Sequence, residues 1–312
     1  MSPASRRALQ DAEIVMGPPR HLDLLPEIGA EKVAWPVPFA DGLPKLLSFR
    51  GRKVVALASG DPFWFGAGSV IARQIGSEEW QAFPGVSVFS LAAARLGWPL
   101  ETVQCHGLHA ASFATLRPHL APGLRMIVTL RDGDAVTALA NWLTDVGFGE
   151  SALHVMEALG GPRERVRSAP AEQYYLGDVA HPVAVAIELA GQGAVVHRAS
   201  GQADDLFDHD GQITKAPVRA MTLAALAPKP GERLWDIGAG SGSVVLEWLM
   251  SHPATQGIAI EARPDRAARI TANAEKLGQS RLHVVGGRAP EMLEGLPPPD
   301  AVFVGGGLSR ET

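Results

Sequence analysis

The residues best placed to do chemistry are Gly238-Ala239-Gly240-Ser241-Gly242, which follow the short run Leu234-Trp235-Asp236-Ile237. A hydrophobic strand runs into a glycine-rich turn, and the turn opens a helix. Glycines accept positive φ and let a ligand come close to the backbone, while a helix N-terminus offers unpaired N–H groups to an anionic or polar group. Dinucleotides favour the spacing G-x-G-x-x-G. Here the third glycine comes one residue early, Ser243 stands where that pattern places glycine, and an acid, Asp236, lies two residues ahead of the first glycine. Glu261 closes the next strand, where a carboxylate can accept hydrogen bonds from both ribose hydroxyls. Such an acid also occurs in NAD enzymes, so it supports a nucleotide-like ligand without choosing one. Gly287-Arg288-Ala289-Pro290 and Gly305-Gly306-Gly307 follow two later strands, at the ends where open parallel sheets bind ligands.

A second group of motifs lies in the first half. Ser59-Gly60-Asp61-Pro62 ends a strand with a turn. Phe63-Trp64-Phe65-Gly66 comes next, and Pro84-Gly85-Val86-Ser87 opens a helix over 87–96. Further on, Arg163, Arg165 and Arg167 present guanidinium groups of the kind that pair bidentately with carboxylates. No nucleophile–base triad and no metal-ligand spacing is evident among the ten histidines. His106, His109, His197 and His209 read as surface or loop residues. Cys105 stands beside His106 but is not expected to act as a nucleophile.

These motifs need elements to hold them. Strand-like apolar runs at 54–58, 126–130, 153–156 and 183–189 alternate with helical patterns. One such pattern is 134–146, where Asp134 can cap the start and Gly147 the end. A polar, acidic stretch with Asp204, Asp205, Asp208 and Asp210 follows. A helix over 216–226 comes next, then strands at 233–237, 257–261, 282–285 and 301–304, with helices at 243–250 and 264–277. Strand–helix alternation of this kind predicts an α/β fold with largely parallel sheets.

Composition fits that expectation. The chain has 312 residues, 46% hydrophobic and 20% charged, which allows two buried cores. No apolar run is long enough for a membrane span, and the amino terminus does not read as a signal peptide. A net charge of −5 without a basic block argues against nucleic acid as a partner. The single cysteine excludes an internal disulfide and fits a reducing cytoplasm.

In the first half, the order and spacing of the Ser59–Pro62 turn, the Pro84–Ser87 segment and the 157–166 stretch resemble the tetrapyrrole (corrin/porphyrin) methylase family. The glycine turn resembles the first motif of the seven-stranded (class I) methyltransferases, whose ligand S-adenosyl-L-methionine (SAM) carries a sulfonium, a carboxylate and a ribose but no pyrophosphate. The tandem order, joined through Asp210-Gly211-Gln212-Ile213-Thr214-Lys215, is similar to the decarboxylating precorrin methyltransferases. That resemblance implies a two-lobed tetrapyrrole-methylase domain over 1–199, a linker over 200–211 and a Rossmann-like class I domain over 212–312.

It also implies SAM as cofactor, an acidic corrin as substrate and a homo-oligomer. Methylation at C5 would fall to the first domain. Methylation at C15, with loss of carbon dioxide from the C12 acetate, would fall to the second, giving precorrin-8X. SAM contacts carry over to Gly60, Asp61, Pro84, Gly85, Val86, Ser87, Thr214, Gly238, Ala239, Gly240, Ser241, Gly242, Glu261 and Ala289. Macrocycle contacts are expected at Arg163, Arg165, Gly305, Gly306 and Gly307.

Three departures from the family pattern are expected. Residues 2–11 already read as the first helix, so the family's opening strand and glycine-rich loop are absent. Only four strands of a seven-stranded sheet can be counted, which leaves an apolar edge at 301–304 and implies poor solubility. Position 288 is arginine where related domains carry an acid, consistent with backbone contact to an adenine. An NAD(P)-dependent oxidoreductase and a truncated, non-catalytic SAM-binding chain are the alternatives.

Overall fold

The computed structural model describes residues 1–305. It begins with α1 (Pro3–Gln10), β1 (Ile14–Gly17), α2 (Pro19–Leu22), β2 (Glu31–Ala34), α3 (Gly42–Leu47), β3 (Val54–Ala56) and α4 (Gly68–Ile71). The three strands form a parallel sheet in the order β2-β1-β3. Every residue of β1 is buried, as a central strand covered on both faces requires. Ile14, Met16, Val33 and Trp35 make one apolar layer, and Leu9, Val15 and Leu22 make the other.

A second sheet follows α5 (Val88–Leu96). It contains β4 (Val103–Gly107), β5 (Arg125–Leu130), β6 (Ala152–Glu157), β7 (Arg165–Pro170) and β8 (Val183–Glu188), with α6 (Gly133–Asp145) between β5 and β6. The order is β4-β5-β8-β6-β7. Only β4 and β5 run parallel; β8 lies antiparallel between β5 and β6, and β7 antiparallel beside β6. Helix α6 buries Val136, Leu139, Ala140 and Leu143 against this sheet. Its cap is Asp132 and not Asp134: the Asp132 carboxylate accepts the Ala135 N–H at 2.9 Å. Gly147 closes the turn after the helix with φ +85°.

The third sheet contains β9 (Arg233–Ile237), β10 (Gln256–Glu261), β11 (Leu282–Gly286) and β12 (Ala301–Val304). It is preceded by α7 (Ala216–Leu226) and interleaved with α8 (Ser243–Ser251) and α9 (Pro264–Lys276). All its strands are parallel, in the order β11-β10-β9-β12. The chain moves outward from β9 to β10 and β11, then returns to the other side of β9. That reversal places a crevice at the carboxyl ends of β9 and β12, where doubly wound sheets bind ligands. Helix α8 is apolar nearly all round, with Val245, Leu246, Trp248 and Leu249 wholly buried.

The acidic stretch before α7 is packed and not free. Leu206 and Phe207 are buried with Leu246, Ala274 and Leu277. Asp210 pairs with Arg266 at 2.9 Å, and Asp204 pairs with Arg219 at 3.2 Å.

Candidate active sites

At the carboxyl end of β9, Gly238, Gly240 and Gly242 all have positive φ, at 70°, 62° and 77°. Three residues that accept the left-handed region at alternate positions give the chain a tight crank, which explains the G-x-G-x-G spacing. Each glycine has a separate reason. The N–H groups of Gly238 and Ala239 both donate to the Ile260 carbonyl, at 2.9 and 3.2 Å. Beside Gly240, a Cβ would meet nothing within 4 Å, so the turn borders open space there. At Gly242 a Cβ would lie 2.9 Å from Ile270 of α9, so the third glycine lets two helices close on each other. Ser243, buried, then begins α8.

Glu261 is 5% exposed and holds this turn. One carboxylate oxygen accepts the Gly240 N–H at 2.8 Å and the other accepts the Arg263 N–H at 2.9 Å. Asp236, beneath the turn, accepts the Val245 N–H at 3.2 Å through Oδ2, while its buried Oδ1 has no hydrogen-bond partner. Burial pushes the Asp236 carboxyl up to about 7, the Val245 N–H opposes this, and the charge of Glu261 adds to it. Gly305, after β12, donates its N–H to the Ile237 carbonyl at 2.8 Å, and a Cβ on it would sit 2.6 Å from the Gly238 carbonyl oxygen. Ala289 joins the apolar layer of Ile237, Ile258 and Ile260, and Arg288 is exposed. Gly306 and Gly307 lie outside the described residues.

Three residues that shape this end of the molecule carry no obvious sequence motif. Arg219, with no exposed side-chain surface, donates to Glu247 at 2.5 Å and to the Thr214 and Gln202 carbonyls. Glu247, 4% exposed, also accepts the Gly201 and Gln202 N–H groups at 2.6 and 2.9 Å. Asn273 donates to the Ser241 carbonyl at 3.0 Å and to the Asp208 carbonyl at 2.9 Å, joining the glycine turn to the acidic stretch. The available signal was a single charge or amide inside an otherwise apolar helix face: Arg219 in α7, Glu247 in α8 and Asn273 in α9.

In the first half, Gly60 has φ +57°, and its carbonyl accepts the Gly85 N–H at 2.9 Å. A Cβ on Gly60 would lie 3.1 Å from the Val86 carbonyl, and one on Gly85 would lie 3.1 Å from the Gly60 carbonyl. The structure therefore brings the 59–62 turn and the 84–87 segment together. Asp61 accepts the Phe63 N–H at 2.8 Å, and Pro84 and Val86 are exposed. Ser87 caps α5 by accepting the Ser90 N–H at 3.1 Å, so the helix starts at Val88, one residue later than expected. The carboxyl ends of β1 and β3 face those of β4 and β5. Arg20, following β1, donates to His181, just ahead of β8, at 3.1 Å, and Phe65 packs over Gly107. The two sheets thus meet beside the first-half motifs.

Several expectations need correction here. Arg165 and Arg167 lie in a strand, β7. Arg165 is not a free partner for a substrate: it binds Glu157, 1% exposed, through two hydrogen bonds of 2.7 and 2.8 Å. Burial pushes the Glu157 carboxyl up, but Arg165, the Ala180 N–H and Arg167 outweigh it and hold the group below its ordinary range. Arg163 is exposed and has no ion-pair partner among the described residues. His106 is not a surface histidine: it lies half-buried on β4, 4.8 Å from the His119 ring, and burial followed by the charge of His119 lowers it to about 4. Burial raises the Cys105 thiol to about 11, which leaves it un-ionised and poorly nucleophilic.

A doubly wound parallel sheet with a glycine crank and an acid at the end of the next strand, preceded by a unit of two sheets in contact, defines a tandem α/β protein with two candidate nucleotide-type sites. Residues 1–174 match the family described as Tetrapyrrole (Corrin/Porphyrin) Methylases, and residues 205–312 match the Precorrin methyltransferase domain. The precorrin-6Y C(5,15)-methyltransferase [decarboxylating] of a Sinorhizobium species is 48% identical over 311 residues, covering 98% of this chain and 75% of that one. The Mycobacterium tuberculosis protein of the same name is 38% identical over 316 residues, covering 99% and 78%. The crystallised C-terminal domain of precorrin-6Y C5,15-methyltransferase from Rhodobacter capsulatus is 51% identical, with a TM-score of 0.35, and covers 36% of this chain and 61% of that one. The chain belongs to the precorrin-6Y C5,15-methyltransferase (decarboxylating) family.

Proposed function

We propose that this chain uses SAM to methylate precorrin-6Y at C5 and C15, with loss of carbon dioxide from the C12 acetate, giving precorrin-8X. The carrying observation is the turn at 238–242: three positive-φ glycines at the switch point of a parallel sheet, with open space beside Gly240 and Glu261 bound to the turn's backbone. These features fit SAM. A carboxylate at the end of β10 suits ribose hydroxyls, the glycines admit close backbone approach, and Ser243 replaces the glycine a pyrophosphate would favour.

When bound, SAM supplies a methyl group already activated on a sulfonium. The protein then has to align the acceptor carbon in line with that methyl and exclude water, a positional contribution that needs no nucleophilic side chain. Glu261 and the glycine turn would hold the nucleoside, with Asp236 bracing α8 behind it. The Arg219 network would fix the backbone at Thr214. In the first half, Gly60–Asp61 and Pro84–Ser87 would hold the second SAM, and the macrocycle would lie between the two sheets.

We assign C5 methylation to a unit over 1–199 and C15 methylation with decarboxylation to a unit over 212–312, joined by 200–211. Matches to two separate families over the two halves support this division. No helix among the described residues is long and apolar enough to cross a membrane; a cytoplasmic homo-oligomer is the proposed setting. The test is calorimetric titration with SAM and with NAD, followed by mass analysis of precorrin-6Y after incubation with SAM. Binding of SAM alone, two added methyl groups and loss of carbon dioxide are expected. Binding of NAD, or no methyl transfer, would overturn the reading.

A further inference from the structure

The junction between the first two sheets contains a cluster that none of the expected SAM contacts uses. Arg20 reaches across it, donating to His181 Nε2 at 3.1 Å and to Ser59 Oγ at 3.4 Å. Ser59 Oγ lies 3.0 Å from His21 Nε2, and His109 is held by Thr129 at 3.3 Å. The four cationic or titratable groups come from three places: the segment after β1 (Arg20 and His21), the end of β4 (His109) and the start of β8 (His181) meet around the turn after β3. Arg20 makes no ion pair with any carboxylate among the described residues. The nearby acid, Asp132, is already bound to Arg131 at 2.7 Å and caps α6. His21 Nδ1 is buried with no hydrogen-bond partner. A guanidinium that donates to an imidazole and a hydroxyl, and to no acid, keeps its charge free to pair with an anion.

We propose that Arg20, His21, His109 and His181 form a carboxylate subsite at this junction, which takes one acidic side chain of the tetrapyrrole. The assignment rests on the tetrapyrrole reading above. Burial and the charge of Arg20 favour the neutral imidazoles before that anion arrives. Burial lowers His21, with Arg20 adding to it; burial lowers His109, with His181 and Arg20 adding to it. Burial and then Arg20 lower His181, against a hydrogen bond to the Arg131 backbone and the charge of Asp132. Because His181 Nε2 accepts from Arg20, its proton sits on Nδ1. A carboxylate placed on Arg20 offsets the positive field that holds these rings neutral. Binding then draws protons onto the imidazoles and is tighter in mild acid than in mild base.

The experiment titrates the full chain with uroporphyrin III, a stable tetrapyrrole polycarboxylate, by fluorescence at about pH 6 and about pH 8. Arg20→Gln is expected to weaken binding about tenfold or more at the lower pH, in line with loss of a charge-assisted pair. The triple variant His21→Gln/His109→Gln/His181→Gln is expected to lose the difference between the two pH values, and circular dichroism and a melting transition matching the parent's show that its first unit is folded. With precorrin-6Y, Arg20→Gln should raise KM for C5 methylation with kcat little changed, and leave C15 methylation as it was. Unaltered porphyrin affinity in a folded Arg20→Gln, or a pH difference that survives in the triple variant, would overturn the subsite. If the parent chain fails to methylate precorrin-6Y, the functional reading falls, and the porphyrin titration still decides the subsite.

Discussion

The Glu261 carboxylate receives the Gly240 N–H at 2.8 Å, so the acid closing β10 is fastened to the middle glycine of the turn that closes β9. Two neighbouring strand ends are thereby locked at the point where the ligand is expected. Glu261→Gln keeps the shape but weakens both the acceptance of the backbone N–H groups and any bond to a ribose. Charged hydrogen bonds contribute about 1.5–3 kcal/mol, so SAM affinity should fall by roughly ten- to a hundredfold. Calorimetric titration of the variant checks this, and undiminished affinity would remove Glu261 from the site.

Gly242→Ala places a Cβ against Ile270 in a backbone conformation that disfavours side chains. The left-handed conformation alone costs about 1–2 kcal/mol, and the contact adds to it. A lower melting temperature together with weaker SAM binding is expected. Gly240→Ala, which meets open space but has the same sign of φ, should show the smaller loss of stability.

Removing one partner of the buried Arg219–Glu247 pair leaves a charge without its counterpart. Arg219→Met should therefore destabilise the chain by about 3–5 kcal/mol, read as a drop in the denaturant midpoint. Arg219→Met with Glu247→Gln should recover part of that loss, and a double variant no better than the single one would argue against the pairing. The recovery stays partial because Glu247 also holds the N–H groups of Gly201 and Gln202.

Asp236 gives the chain a pH dependence of definite sign. Its folded-state carboxyl is raised from 3.8 to about 7, so folding favours the protonated form. That contribution is complete in acid below the unfolded value, declines as the pH rises between the two values, and is gone above the folded one. At roughly 1.4 kcal/mol per pKa unit, the decline amounts to a few kcal/mol. Asp236→Asn, which cannot ionise, should flatten the stability profile between about pH 4 and pH 7, as measured by denaturant unfolding at a series of pH values. A profile as steep as the parent's would place the titration elsewhere.

The third sheet was legible in the sequence almost to the residue. Each of its strands carries a compact apolar run, each helix between them ends at a clear signal, and the glycines announce the turn. Of the first sheet only β3, within the expected run at 54–58, was legible; β1 and β2 were not. Its central strand is only Ile14–Gly17, and in the edge strand Glu31–Ala34 only Val33 is buried, so neither has enough length or alternation to stand out. In β7 the Arg-Val-Arg pattern read as arginines for a substrate carboxylate, because the Glu157 they neutralise lies on the neighbouring strand, a pairing visible only after folding. The ligand-facing turns could be read from local chemistry. The Arg219, Glu247 and Asn273 contacts join residues far apart in the chain, and local patterns carry no record of them.

Both oxygens of the acid at the end of β10 are already engaged by backbone N–H groups, and all three glycines of the crank are already in the left-handed region. The loop's conformational entropy is therefore surrendered when the chain folds and not when a nucleoside arrives. A ligand entering this socket finds it rigid, so little of its binding energy is diverted into ordering the protein.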